Sequence, residues 1–226
     1  MHANTITEQL TAAGRVIEHD SFAIIDAEAG AHTYSARQWP IVRRMIHANA
    51  DFEFNGLTEF HPDAVEAGLK AILAGATPIV ADVEMICVGL SKSRLAHFGL
   101  HPHEYISDPD VIEAARAAGT TRAVQAMKKA HRLGLLDGAI VGIGNAPTAL
   151  IELVRMIRED GVHPALVIGM PVGFVSAAES KALLGGVGAV PWITIRGRKG
   201  GSTLVVAALH ALLGLAETRQ RQSLQG

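Results

Sequence analysis

The chain has little that would tie it to a membrane, an oxidising compartment or a polyanion. Its 226 residues hold one cysteine, Cys87, which excludes an intramolecular disulfide framework and fits a reducing compartment. No apolar run approaches the roughly 18 residues that a membrane span needs. The opening segment, MHANTITEQL, shows no basic stretch followed by an apolar core, so no targeting segment is expected. Against 22 Asp and Glu stand 20 Lys and Arg. That balance gives no support to a nucleic acid or a membrane surface as partner, and any anionic ligand must be met by local clusters. Aromatics make up 4%, so the walls of an apolar pocket must be built mainly from Val, Ile, Leu and Met. Internal repeats, low-complexity tracts and linkers are also missing. The expectation is one domain spanning 1–226, soluble and cytoplasmic.

What is present is an alternation of short apolar runs with helical patterns. Ala139 to Ile143 and Ala165 to Ile168 each empty into a glycine-proline turn and read as fully buried parallel strands. Between them, Asn145, Ala146 and Pro147 open a helix whose apolar residues Leu150, Ile151, Leu153, Val154 and Ile157 recur at helical spacing. Thr77 to Ala81, Glu104 to Ile106 and Val190 to Ile195 read as further strands. Helices are predicted over Glu8 to Ala29, with Asp20 and Ser21 as a break or cap, and from Pro40 to near His47 and Asn49. Others follow from Pro62 to Gly75, over Asp108 to Ala118, over Thr121 to Leu133, and from Ser202 to about Ala216, with ETRQRQSLQG as a frayed tail. This alternation implies an α/β fold in three layers, α/β/α, around a mainly parallel, doubly wound sheet. Ligands in such sheets bind at the carboxyl ends of strands, so the turns Gly144 to Pro147 and Gly169 to Gly173 are the first place to look for a site.

Several residues there carry chemistry. GIGNAP, Gly142 to Pro147, falls short of the dinucleotide fingerprint because Pro147 replaces its third glycine, and the next strand ends VIGMP without an acid for a ribose hydroxyl. RGRKGGST is no Gly-Lys-Ser/Thr phosphate loop. Its Arg196, Arg198 and Lys199, beside the amides of Gly200 and Gly201 and a helix N-terminus, would nevertheless suit carboxylates or phosphates; a solvated basic turn is the competing reading. His47 stands in the last turn of a helix, where the dipole favours positive charge, although a histidine there can be a simple cap. Arg44, three residues earlier, is placed on the same face. Asp82 and Glu84 alternate at a strand end, where a carboxylate is either a cap or a catalyst. His101, His103 and Glu104 lack companions at zinc-site spacing and read as a surface turn, so no metal is expected. Cys87, among Met85, Ile86 and Val88, reads as a packed small hydrophobe.

Taken in order, SFAIIDAEA, RMIHA, GIGNAPTAL, IGMPVGFVSAAESK and RGRKGGS resemble the precorrin-8X methylmutase, or precorrin isomerase, family over about Ser21 to Leu213. The segment SKSRLAHFG resembles its cobalt-precorrin branch. The resemblance implies a flavodoxin-like α/β fold, a homodimer and a tetrapyrrole substrate. It implies a 1,5-sigmatropic methyl shift from C11 to C12 of the corrin ring, giving hydrogenobyrinate from precorrin-8X or cobyrinate from cobalt-precorrin-8 in cobalamin biosynthesis, with no redox cofactor or catalytic metal. It further implies His47 as proton donor and acceptor and Ser21 as a substrate contact, with Arg122, Asn145, Lys181, Arg196 and Arg198 lining the site; Arg44 and Asp82 join them from the reading of the residues above. The physics agrees, since a flat macrocycle fringed by carboxylates needs aliphatic walls and a rim of cations. Protonating or hydrogen-bonding a ring nitrogen would drain electron density as the methyl migrates. A non-catalytic corrinoid carrier is the alternative, and a nucleotide-dependent oxidoreductase, suggested by GIGNAP, a third.

Overall fold

The computed structural model of the protein describes residues 11–224. The predicted helical residues Glu8 and Leu10, and the last two residues of the tail, lie outside the described residues. The strands are β1 (Thr58–Phe60), β2 (Pro78–Ala81), β3 (His101–His103), β4 (Ile140–Ile143), β5 (Leu166–Gly169) and β6 (Trp192–Ile195). They form one sheet in the order β1-β6-β5-β4-β2-β3. All neighbours are parallel except β1, which runs antiparallel to β6 with Thr58 opposite Ile195. The parallel part starts in the middle, at β2, goes out to β3 at one edge and returns through β4 to build the other side. This is the doubly wound flavodoxin-like order, and its topological switch point lies between β2 and β4.

The helices are α1 (Ala12–Glu28), α2 (Trp39–Asn49), a broken turn α3 (Phe54–Leu57), α4 (Ala64–Ala74), α5 (Glu84–Gly89), α6 (Lys92–Phe98), α7 (Pro109–Ala118), α8 (Arg122–Arg132), α9 (Pro147–Arg155, continued by a π turn over Met156–Asp160), α10 (Ala177–Gly185) and α11 (Ser202–Ser223). Alternate strand residues feed two cores, one on each face of the sheet. Ile79, Ile140, Ile168 and Ile193 pack with Ile41 and Met45 of α2, Leu69 of α4 and Leu209 of α11. Val80, Val141, Ile143 and Val167 pack on the other face with Met127 of α8, Leu150 of α9 and Leu184 of α10. Burying each such side chain contributes roughly 1.5–3 kcal/mol, so strands of four residues suffice when both faces are covered.

Three sequence expectations are corrected, and one strand is added to them. Helix α1 runs through Asp20 and Ser21 without a break, because the Ser21 hydroxyl donates to the Ile17 carbonyl at 2.7 Å and is satisfied within the helix. The strand expected at Glu104 to Ile106 lies instead at His101–His103, in register with Pro78 to Val80. The Glu104 carboxylate accepts the Ile106 N–H at 3.0 Å and closes a turn. Pro102 in the middle of β3 is tolerated because the strand is at an edge, where one missing donor goes unnoticed. The closing helix does not fray after Ala216 but continues to Ser223, held by Glu217, which is buried against Arg94 of α6 at 2.8 Å. Strand β1 was not foreseen; Thr-Glu-Phe is too short to show a period, and pairing with β6 is what makes it a strand.

Candidate functional site

At the switch point the chain fills its own crevice. Asp82, at the end of β2, is 0% exposed and accepts the backbone N–H groups of Gly144 at 3.0 Å, Asn145 at 2.8 Å and Ala146 at 2.7 Å. Burial pushes its carboxyl up and the three amides pull it back. Gly144 lies so close to α11 that a Cβ there would meet the Ser202 backbone at 2.6 Å. The amides that a pyrophosphate would require are thus held by an internal anion, which removes the dinucleotide reading of GIGNAP. Asp82, expected as a substrate contact, is the anchor of this turn, and Asn145 beside it is exposed.

The loops after β5 and β6 are laced together at the backbone. Gly201 N–H donates to the Met170 carbonyl at 2.8 Å, and Gly173 N–H to the Arg198 carbonyl at 3.2 Å. Beneath them, the Lys181 ammonium of α10, 2% exposed, donates to the Lys199 carbonyl, and burial pushes its pKa down to about 8. Of the three cations expected to face an anion, two are engaged internally. Arg196 pairs with Glu59 at 3.1 Å and donates to the Gly56 carbonyl; Lys199 pairs with Asp51 and, at 2.8 Å, with Glu53. The Arg198 guanidinium instead lies 5.6 Å from the ring centre of Phe174, a side chain 85% exposed.

A hollow opens beside α2. That helix buries Ile41, Val42, Met45 and Ile46 on one face and is started by Pro40 in its first turn. It stops at Ala50, held in the left-handed region at φ 50, which costs a non-glycine residue roughly 1–2 kcal/mol. His47 is exposed in the last turn. Helix α1 crosses it, and Ser21, Ile24, Ile25 and Glu28 from α1 meet Ile46, His47, Ala50 and Phe52 around a cavity of about 240 Å³. The His47 imidazole sits edge-on to the Phe22 ring with centroids 5.3 Å apart. Arg43 and Arg44 cover the same ring at 4.4 and 5.3 Å, and pair with Asp26 and Glu18 respectively.

Ser21 and His47, distant in sequence, are therefore brought together, while Asn145, Lys181, Arg196 and Arg198 gather at the strand ends. Arg44 is not brought to His47. It lines a separate hollow with Phe22, Arg43, Arg94 and His210. Arg122, exposed in the first turn of α8, lines another with Ile112, Arg116 and Thr120. Sequence reasoning gave no role to Phe22, which lies inside the quoted SFAIIDAEA block, and missed Asp51 and Glu53, for which the only signal was the run DFEF, two acids flanking an aromatic. The burial that pushes the Cys87 thiol up to about 11, with help from Glu104 and Glu84, leaves it a packing residue. Among the described residues no three His, Cys, Asp or Glu side chains stand close enough to hold a metal ion. Chemically, the hollow offers apolar walls, one imidazole, one hydroxyl and one carboxylate, a set suited to orienting an apolar ligand and moving a proton on it.

Comparison with known proteins gives a consistent answer. A model of the precorrin-8X methylmutase family matches residues 16–215. The cobalt-precorrin-8 methylmutase of Priestia megaterium is 50% identical over 218 residues, covering 96% of this chain and 95% of that protein. The precorrin-8X methylmutase of a Sinorhizobium species is 42% identical over 201 residues, covering 88% and 94%. The crystal structure of precorrin-8X methylmutase from Thermus thermophilus superposes with a TM-score of 0.85 at 56% identity, covering 91% of this chain and 97% of that one.

Proposed function

Because the chain belongs to the precorrin-8X methylmutase family, we propose that the hollow between α1 and α2 receives one edge of a corrin macrocycle and that His47 supplies the proton for the reaction. The activity is that of an isomerase of cobalamin biosynthesis, an intramolecular methyl transfer from C11 to C12 that turns precorrin-8X into hydrogenobyrinate, or cobalt-precorrin-8 into cobyrinate. The meeting of Ser21 and His47 around one apolar cavity carries the assignment of the site. A methyl shift of this kind needs no nucleophile. It needs the ring held flat and its electron density drawn toward a nitrogen, and an imidazole that donates a proton there contributes roughly 100- to 10,000-fold. Ile24, Ile25, Ile46 and Phe52 form the walls, and the Ser21 oxygen, whose own proton is given to Ile17, is left to accept.

The peripheral carboxylates of the substrate meet Arg198 first, with Asn145 and Arg122 further along the strand ends; Lys181, Arg196, Arg44 and Asp82 hold the frame behind them. At about 240 Å³ the cavity is smaller than the roughly 300–1,000 Å³ of pockets that enclose a whole ligand, so it takes one edge of the ring. Its rim includes Ile24 at 56% and Phe52 at 38% exposure. We propose a homodimer in which the second copy covers this apolar rim, working in the cytoplasm; among the described residues no helix is long and apolar enough to cross a membrane.

The test is His47→Ala. It is expected to keep the absorption shift on binding hydrogenobyrinate and to lose roughly 100- to 10,000-fold in kcat on precorrin-8X. An unchanged rate would take His47 out of the mechanism. A one-to-one spectral shift of precorrin-8X by the wild type, with no product on extraction, would make the protein a carrier.

A further inference from the structure

As a sequence, RGRKGGST offers Lys199 to an anionic ligand. The structure gives its ammonium to two carboxylates of the protein itself, Asp51 and Glu53, the latter at 2.8 Å. Those two acids flank Phe52, and Phe52 and Ala50 are walls of the cavity that His47 faces. The Asp51 carboxylate also accepts the Glu53 N–H at 3.0 Å, so the segment directly after α2 is closed on itself before Lys199 binds it. The other end of the lysine is equally fixed. Its carbonyl accepts the buried Lys181 ammonium, and its neighbour Gly200 lies so close to the loop after β5 that a Cβ would meet the Met170 carbonyl oxygen at 2.3 Å. A second tether runs parallel, from the Thr203 hydroxyl to the Asn49 side chain at 3.4 Å.

We propose that Lys199 is a positioning residue for His47, a post on the strand-end loop that fixes the chain leaving α2 and so sets where the imidazole stands against the substrate. Magnitudes favour this over a purely stabilising role. Partly exposed ion pairs add little to stability, whereas a shift of about 1 Å in a reacting group can cost about 100-fold in rate. Electrostatics agree with a persistent pair, since Asp51 and Glu53 raise the lysine pKa and Lys199 lowers that of Asp51. The left-handed turn at Ala50 needs such a hold, because strained backbone persists only where its surroundings determine it.

The inference rests on His47 as proton donor, and its test separates the two. Lys199→Met is expected to lower kcat on precorrin-8X about 10- to 100-fold, with KM and the Kd for hydrogenobyrinate within about twofold of wild type. Asp51→Asn with Glu53→Gln should give the same loss, the triple variant no more, and Lys199→Met should add nothing in a His47→Ala background. If Lys199→Met does not fold, the Asp51→Asn and Glu53→Gln protein carries the same reading. A raised KM or Kd with unchanged kcat would make Lys199 a substrate contact and overturn the proposal. So would a lowered Tm with both kinetic constants unchanged, which is the mark of a brace alone. A His47→Ala enzyme with full turnover would instead bring down the functional reading beneath it.

Discussion

Three amides converge on one carboxylate at Asp82, and their burial decides what its loss costs. The Gly144 donor is buried and those of Asn145 and Ala146 are partly open to water; a buried donor left without a partner costs about 1–3 kcal/mol, so Asp82→Ala should lower stability by about 1–3 kcal/mol in urea unfolding. A change below about 1 kcal/mol would mean that the turn finds other acceptors. Lys181 gives a pH signature. Burial lowers its pKa to about 8 from the ordinary 10.5, so between those values the folded chain holds fewer protons than the unfolded one, and stability rises with pH across that window. Relative to Lys181→Met, the wild type should gain up to about 1.4 kcal/mol per pH unit there, as read from urea midpoints at pH 7 to 10; parallel profiles would show that the amine is not desolvated. His47 and Ser21, singled out because short motifs carry them, line one cavity. The internal partners of Asp82, Arg196 and Lys199 were not foreseen, for one reason. A charged residue in a sequence does not reveal which internal partner will claim it.

At the scale of elements, the longest helix is pinned at its far end by a pair that hydropathy would have excluded. Arg94 of α6 and Glu217 of α11 meet at 2.8 Å with side chains 6% and 8% exposed. Removing one partner leaves a buried charge, so Arg94→Ala or Glu217→Ala should each cost about 3–5 kcal/mol, while the joint change to Met and Leu should cost far less. Thermal unfolding of the three variants checks it; equal losses would show that the pair is solvated. The same contact explains why the polar tail was mistaken for a frayed end, since a 3.6-residue apolar period stops at Ala216 although the helix does not. Strands β2, β4, β5 and β6 and most helix starts were readable, because continuous apolar runs, proline and threonine caps are local signals. Threonine 121 is one such cap, accepting the Val124 N–H at 3.3 Å. Strand β1 and the position of β3 were not, being specified by their partners.

For the whole molecule, alternation of strand and helix was enough to forecast the three layers, and right-handed crossovers the winding. Which strand ends would hold the site was less visible, because the switch point is sealed by Asp82 and the cavity lies instead where α1 crosses the end of α2. The open rim there predicts the assembly. Light scattering should find a dimer, and Ile24→Glu should shift it toward monomer while raising KM; a wild-type monomer with full turnover would refute the pairing of copies.

One further consequence follows from the two outermost strands. Each is three residues long, one carrying Glu59 and the other interrupted by Pro102, so the sheet presents almost no run of free amides and carbonyls to a foreign strand. Border-to-border pairing of copies, and fibril seeding from the native state, are disfavoured by such edges. Aggregation on heating should therefore wait for the apolar central ladder to come apart, and follow global unfolding rather than precede it.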